Sequence, residues 1–324
     1  MQRFKKILVY VGTNDPLAAI KRAFEIATEN KATVTLMDVV KPLPTAIGIL
    51  TDVATPEEME KLLIADRVEK LKELADTYSR DSISVDVVVS CGDPAQEITK
   101  RVIVGDYDLV IKTADGLSAS GRLFGSIARS LLRICPCPVW TLKPQVHGEF
   151  DQVLAAIDID AEDDEHRKLN KDILELAYSI AERDHAQLHV VSVWDLWMEQ
   201  SLRRRAGDAE VDAALASRQA KVRKDLDAVL QVPFADTSQI KVHLHRGKAS
   251  ETILAVAEKV EADLIVMGTV CRSGVAGFLI GNTAENLLSD VTCSVLAIKP
   301  DGFESPVQVN ADDPSARPQM LPII

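Results

Sequence analysis

Residues 263 to 288 read DLIVMGTVCRSGVAGFLIGNTAENLL. Leu264-Ile265-Val266-Met267 has the length and composition of a buried strand. A loop with Gly268, Gly274, Gly277 and Gly281 follows, and Asn282-Thr283 opens a helix with Ala284, Leu287 and Leu288 on one face. Glycines allow close backbone approach, and the unbonded N–H groups of a first helical turn face outward, so this arrangement suits an anion. The loop is not a Walker loop, because no GKS or GKT occurs. Nor is it a Rossmann fingerprint, since it closes the last β-α unit of its half rather than the first.

Working outward, the second half carries strand-like runs over residues 150–157, 187–193, 240–245 and 295–298, and helical spacing over 168–183, 209–230 and 251–260. The first half has the same order. Strands are predicted over 4–11, 32–40, 83–89, 108–112 and 139–142, and helices over 17–29, 56–78, 96–102 and 126–133. Two markers set the repeat: Gly125 to Pro144 and Gly281 to Pro300 are each 19 residues apart. The pattern predicts an α/β fold of two doubly wound, five-stranded parallel-sheet domains over residues 1–147 and 148–302, with 303–324 as a tail without a fold of its own. The short apolar fifth strands would invite aggregation if left uncovered. Packing them together as an internal pseudo-dimer is the expected solution.

Composition narrows the function. With 324 residues, 47% hydrophobic, the chain can build two sizeable cores. A formal net charge of −12 argues against a nucleic-acid partner or an anionic membrane surface. Arg203-Arg204-Arg205 is the basic cluster, and it reads as a solvated helix face. No apolar run approaches the ~20 residues of a membrane span. The apolar run after MQRFKK ends at Gly12, too early for a signal peptide, so a cytoplasmic protein is expected.

The five cysteines, Cys91, Cys135, Cys137, Cys271 and Cys293, follow no disulfide framework. Cys135-Pro136-Cys137 reads as buried thiols ahead of metal binding. His243 and His245 alternate on one strand face and lack a third ligand in sequence, so a solvated or capped face is favoured over a metal site. Trp194 and Trp197 either cover an apolar ligand or pack beneath a loop. Asp160, Glu162, Asp163 and Asp164 read as a solvated acidic loop, and no catalytic residue and no metal ligand is singled out.

On these residues the chain resembles a tandem-type universal stress protein of the E-type branch, over about residues 4 to 300. The resemblance rests on the strand ending at Asp158, the turn Gly92-Asp93-Pro94-Ala95, the glycine loops and the closing PVWTLKP and SVLAIKP segments. It implies the Rossmann-like, HUP-type architecture in both halves. ATP-binding members carry a G-x2-G-x9-G-[ST] loop around the phosphates and an Asp beside the adenosine. In the second half Asp158, Val193, Gly268 and Gly281 match that set, while Cys271 stands for the second glycine and Asn282, followed by Thr283, for the hydroxyl residue. In the first half Gly12 replaces the Asp, Thr113 and Gly116 take the first two glycine positions, and Gly125-Ser126 alone is intact.

The resemblance therefore implies a stress-response binding module holding ATP or AMP in the second domain alone, with no metal beyond the magnesium that accompanies ATP. The partner is a small-molecule ligand, with the protein a monomeric pseudo-dimer or a homodimer. A competing reading takes Cys271 and Asn282 as marks of a module for a lipid-like metabolite or a protein. A third, slow phosphohydrolase chemistry, lacks a visible base. Cys271 itself either strains a glycine position, fills space as a small hydrophobe, or acts as a thiol activated by helix N–H groups.

Overall fold

The computed structural model describes residues 3–12, 15–43, 55–79, 83–114, 124–144, 148–160, 163–196, 198–231, 240–269 and 281–309. They separate into two compact units, one of residues up to 144 with 303–309, the other of residues 148 to 302.

In the first unit the elements run β1 (Lys6–Tyr10), α1 (Leu17–Asn30), β2 (Thr33–Val40), α2 (Pro56–Tyr78), β3 (Val85–Cys91), α3 (Pro94–Gly105), β4 (Leu109–Thr113), α4 (Ser126–Ile134) and β5 (Val139–Leu142). The strands lie in the order β3-β2-β1-β4-β5, all parallel. Helix α2 begins where the sequence signals it. Thr55 accepts from the Glu58 N–H, Glu58 reaches back to the Thr55 N–H, and Pro56 fills the first turn.

The second unit repeats this plan with β6 (Gln152–Ile157), α5 (Asp164–Asp184), β7 (Gln187–Trp194), α6 (Glu199–Ala206), α7 (Asp208–Gln231), β8 (Lys241–Arg246), α8 (Ala249–Lys259), β9 (Leu264–Gly268), α9 (Asn282–Asp290) and β10 (Ser294–Ile298). Its strand order is β8-β7-β6-β9-β10, again parallel. The apolar runs are long because strands covered on both faces have no polar side to alternate with.

Two features depart from the sequence expectation. The acidic segment before residue 168 is not all loop: Asp163 caps α5 through the His166 N–H and Asp164 is its first residue, so the carboxylates face a helix N-terminus that favours them. The three arginines at 203 to 205 end a separate short helix, α6, and Arg203 is engaged with Glu199, Asp208 and Asp212 rather than merely solvated. Gly207, at φ 93°, divides α6 from α7.

A matching pair of aspartates ties each first strand to the fourth. Asp108 accepts from the N–H groups of Lys5 and Lys6 at 2.6 and 3.0 Å, and Asp263 accepts from those of Asp151 and Gln152, both at 2.9 Å. Asp263→Ala leaves two strand-initiating donors without this acceptor. It is expected to lower stability by about 2 kcal/mol, read as a fall in urea midpoint.

Beyond Pro300 the described residues form no helix or strand, and Ser305 Oγ donates to the Ile134 carbonyl at 2.6 Å within the first unit. Among the described residues no helix is long and apolar enough to cross a membrane.

Candidate functional site

In the second unit the chain order reverses between β6 and β9, and ligands of doubly wound sheets sit outside the carboxyl ends of strands at such a point. A cavity of about 370 Å³ lies there. Its walls include Ala156, Asp158, Val193, Met267, Gly268 and Thr283.

Asp158 follows β6 directly, and its backbone is clamped. Its N–H donates to Asn170 Oδ1 at 3.0 Å and its carbonyl accepts from Asn170 Nδ2 at 2.6 Å, while its carboxylate accepts from the Asp160 N–H at 3.1 Å. Asn170 is only 5% exposed on α5. Sequence reasoning missed it. The available signal was an amide on the buried stripe shared with Leu169, Ile173 and Leu174. Replacing it by alanine orphans two backbone groups, so Asn170→Ala should cost about 2–4 kcal/mol by urea denaturation.

Val193 closes the cavity from β7, and Gly268 ends β9. A Cβ on Gly268 would lie 2.8 Å from Leu169 Cδ2, so α5 packs tightly over the strand end at this point. Gly281 is the N-cap of α9, whose first turn no side chain caps. Thr283 is exposed at the cavity edge, and Asn282 supplies the first residue of the helix. Five of the seven site residues expected from sequence, Asp158, Val193, Gly268, Gly281 and Thr283, thus border one hollow. Cys271 lies outside the described residues.

A neighbouring recess of about 620 Å³ shares Val193, Ala249 and Thr283 with the cavity and is bordered by Lys248 and Arg218. Arg218 reaches Asp160 at 2.9 Å. Trp194 borders this recess but is buried in a cluster with Val211, Leu215 and Val222, so packing is its observed role. Trp197 lies outside the described residues. A separate hollow near Gln187 and Ile240 is at the amino ends of β7 and β8, the wrong end of the sheet for the expected chemistry.

The first unit differs at one register pair. Ala156 faces Met267 across β6 and β9, and the corresponding pair across β1 and β4 is Tyr10 and Lys112. Tyr10 is 7% exposed and Lys112 1%, with Lys112 Nζ donating to the Thr113 carbonyl at 2.7 Å. Large buried side chains therefore stand where the second unit has a cavity wall. Gly12, at φ +59°, occupies the place of Asp158, and a Cβ there would lie 2.9 Å from the Tyr10 ring.

Of two expectations about other side chains, the one for His243 is revised and the one for Cys135 and Cys137 holds. His243 is half-buried rather than solvated, with its Nε2 2.9 Å from Nδ1 of buried His189, whose Nε2 lies 2.9 Å from Gln152 Oε1, while His245 is exposed as expected. Cys135 and Cys137 are buried thiols with sulfurs 3.6 Å apart, and burial pushes the Cys137 thiol well up. Among the described residues no three His, Cys, Asp or Glu side chains are grouped to hold a metal ion.

Comparison with known proteins agrees with this architecture. The family model described as the universal stress protein family matches twice, over residues 3–143 and 149–299. Universal stress protein E of Photorhabdus laumondii is 28% identical over 320 residues, covering 95% of this chain and 99% of that protein. Its namesake in Escherichia coli K12 is 28% identical over 274 residues, covering 82% and 84%. Among solved structures, one described as a putative universal stress protein from Pseudomonas aeruginosa UCBPP-PA14 matches with a TM-score of 0.65 at 28% identity, over 93% of this chain and 95% of that one. A universal stress protein from Archaeoglobus fulgidus shares the fold at 20% identity, with a TM-score of 0.58 over 90% and 98% of the chains. With the family's domain matched in each half and its fold in both units, the chain belongs to the universal stress protein family, in tandem form and similar to the E type.

Proposed function

We propose that the protein is a cytoplasmic stress-response module that binds one adenine nucleotide, ATP or AMP, in the second unit and none in the first. The cavity outside β6 and β9 carries this reading, because five residues chosen by sequence pattern border it. Ile157, Val193, Ile253 and Met267 offer apolar surface to a planar base. Asp158 lies beside the sugar, and the uncapped first turn of α9 faces the phosphates. The recess with Lys248 and Arg218 gives a triphosphate and its magnesium room. Among the described residues bordering the cavity and the recess no carboxylate pair is set for hydrolysis, and this reading assigns the signal to occupancy rather than turnover.

Calorimetric titration of the purified protein with ATP and AMP tests this. One site is expected. Asp158→Ala should remove it, and Ser126→Ala in the first unit should leave the affinity unchanged. Two equal sites in the wild type refute the asymmetry. The apolar wall also supports a second reading, a lipid-like metabolite. Mass spectrometry of the ligand released on denaturation separates the two: a nucleotide favours the first, an acyl species the second.

A further inference from the structure

One polar atom at the cavity lacks a partner. His166 is the third residue of α5, and its Nδ1 lies 2.7 and 2.8 Å from the two carboxylate oxygens of Asp163. The Asp163 carboxylate also accepts from the His166 backbone N–H at 2.8 Å. The backbone bond first, and the ring second, hold the Asp163 carboxyl below the usual carboxylate range. An ionised carboxylate only accepts, so Nδ1 carries a ring proton, and in the Nδ1–H tautomer Nε2 presents a lone pair.

That Nε2 is buried and makes no hydrogen bond, the His166 side chain is 14% exposed, and the residue borders the 370 Å³ cavity. Buried polar atoms in folded proteins nearly always have partners, so an orphan at a cavity wall marks where a ligand atom belongs. The other polar groups on this side narrow the ligand chemistry. The Asp158 carboxylate accepts only, and Asn170 has both amide groups engaged with the Asp158 backbone. This side of the cavity therefore calls for a donor on the ligand.

Resting on the nucleotide reading above, we propose that His166 binds a ribose hydroxyl through Nε2, and that Asp163 sets the tautomer that makes this possible. The site then selects a ribonucleotide over its deoxy counterpart. Phosphate oxygens, which carry no proton at neutral pH, do not fit this acceptor. They belong at the α9 end.

The test titrates AMP, 2′-deoxy-AMP and 3′-deoxy-AMP into the wild type and into H166A, H166Q and D163N, with urea midpoints confirming that each variant is folded. The wild type should bind AMP about 10- to 100-fold more tightly than one of the two deoxy analogues. H166A should lose the same factor for AMP and lose the preference for that hydroxyl. H166Q, whose amide oxygen can take the place of Nε2, should recover part of both. D163N should fall between. The proposal is overturned if H166A binds AMP within twofold of the wild type, or weakens all three ligands equally. If the wild type binds none of them, the nucleotide reading fails and this inference falls with it. Wild-type binding with an indifferent H166A sinks the inference alone.

Discussion

The double substitution Ala156→Tyr with Met267→Lys is expected to abolish nucleotide binding by the second unit, with the affinity for AMP falling by more than about 100-fold, or ~2.7 kcal/mol. The two residues are register partners at the ends of β6 and β9, and both border the cavity. The substitution installs the pair that the first unit already holds buried at the corresponding register, Tyr10 and Lys112. The fold itself demonstrates that a doubly wound unit of this kind accommodates a tyrosine and a lysine there, with the lysine ammonium bonded to a strand-end carbonyl. Loss of binding with an unchanged urea midpoint would mean the hollow was filled, not that the unit unfolded. The reverse change in the first unit, Tyr10→Ala with Lys112→Met, should create no site, because Gly12 still stands where Asp158 does in the second. If the double variant of the second unit keeps AMP affinity within fivefold, the nucleotide does not enter this cavity.

Acid should selectively destabilise the second unit. His189, 3% exposed, is hydrogen-bonded between His243 and Gln152, and burial, followed by the charges of His243 and Lys241, pushes its pKa down from 6.5 to about 4. His243 is lowered as well, by burial and then by His245, Lys259 and Lys241. The groups facing this pair from β8 and α8 are thus cationic or become so. The sign follows from the depressed folded pKa. The unfolded chain binds the proton first, so stability is full above about pH 6.5 and is lost as pH falls toward 4. For His189 alone the loss amounts to roughly 3 kcal/mol.

Asp38 and Asp108 in the first unit are raised, chiefly by burial, and contribute with the opposite sign as they protonate. Urea unfolding between pH 7.5 and 4.5, followed in a Trp140→Phe variant so that the remaining tryptophans, Trp194 and Trp197, report the second unit, should show this decline. His189→Gln removes the titrating ring and should flatten it. A wild-type profile with no fall below pH 6.5, or a fall that His189→Gln leaves intact, refutes the account.

What was legible in the sequence was local. Thr55-Pro56-Glu57-Glu58 announces the start of α2 because its capping groups lie within three residues of one another. The apolar runs of β5 and β9 stand out because a parallel strand covered on both faces carries no polar alternation. Asp158, Gly268, Gly281 and Thr283 were legible too, since strand ends and helix starts place them by position along the chain.

What only the tertiary structure decided involves partners far apart in sequence. The Asn170 clamp on Asp158 depends on how α5 lies across the end of β6. The contact of His189 with His243 spans 54 residues, and Tyr10 meets Lys112 only through the register of β1 against β4. Parallel strands are joined by long crossovers, so nothing in the intervening chain states which residue will face which. A slip of one position would have turned each side chain to the other face. The fold could therefore be read from local pattern, while the contrast between the buried Tyr10–Lys112 pair of the first unit and the cavity-lining Ala156–Met267 pair of the second waited on register.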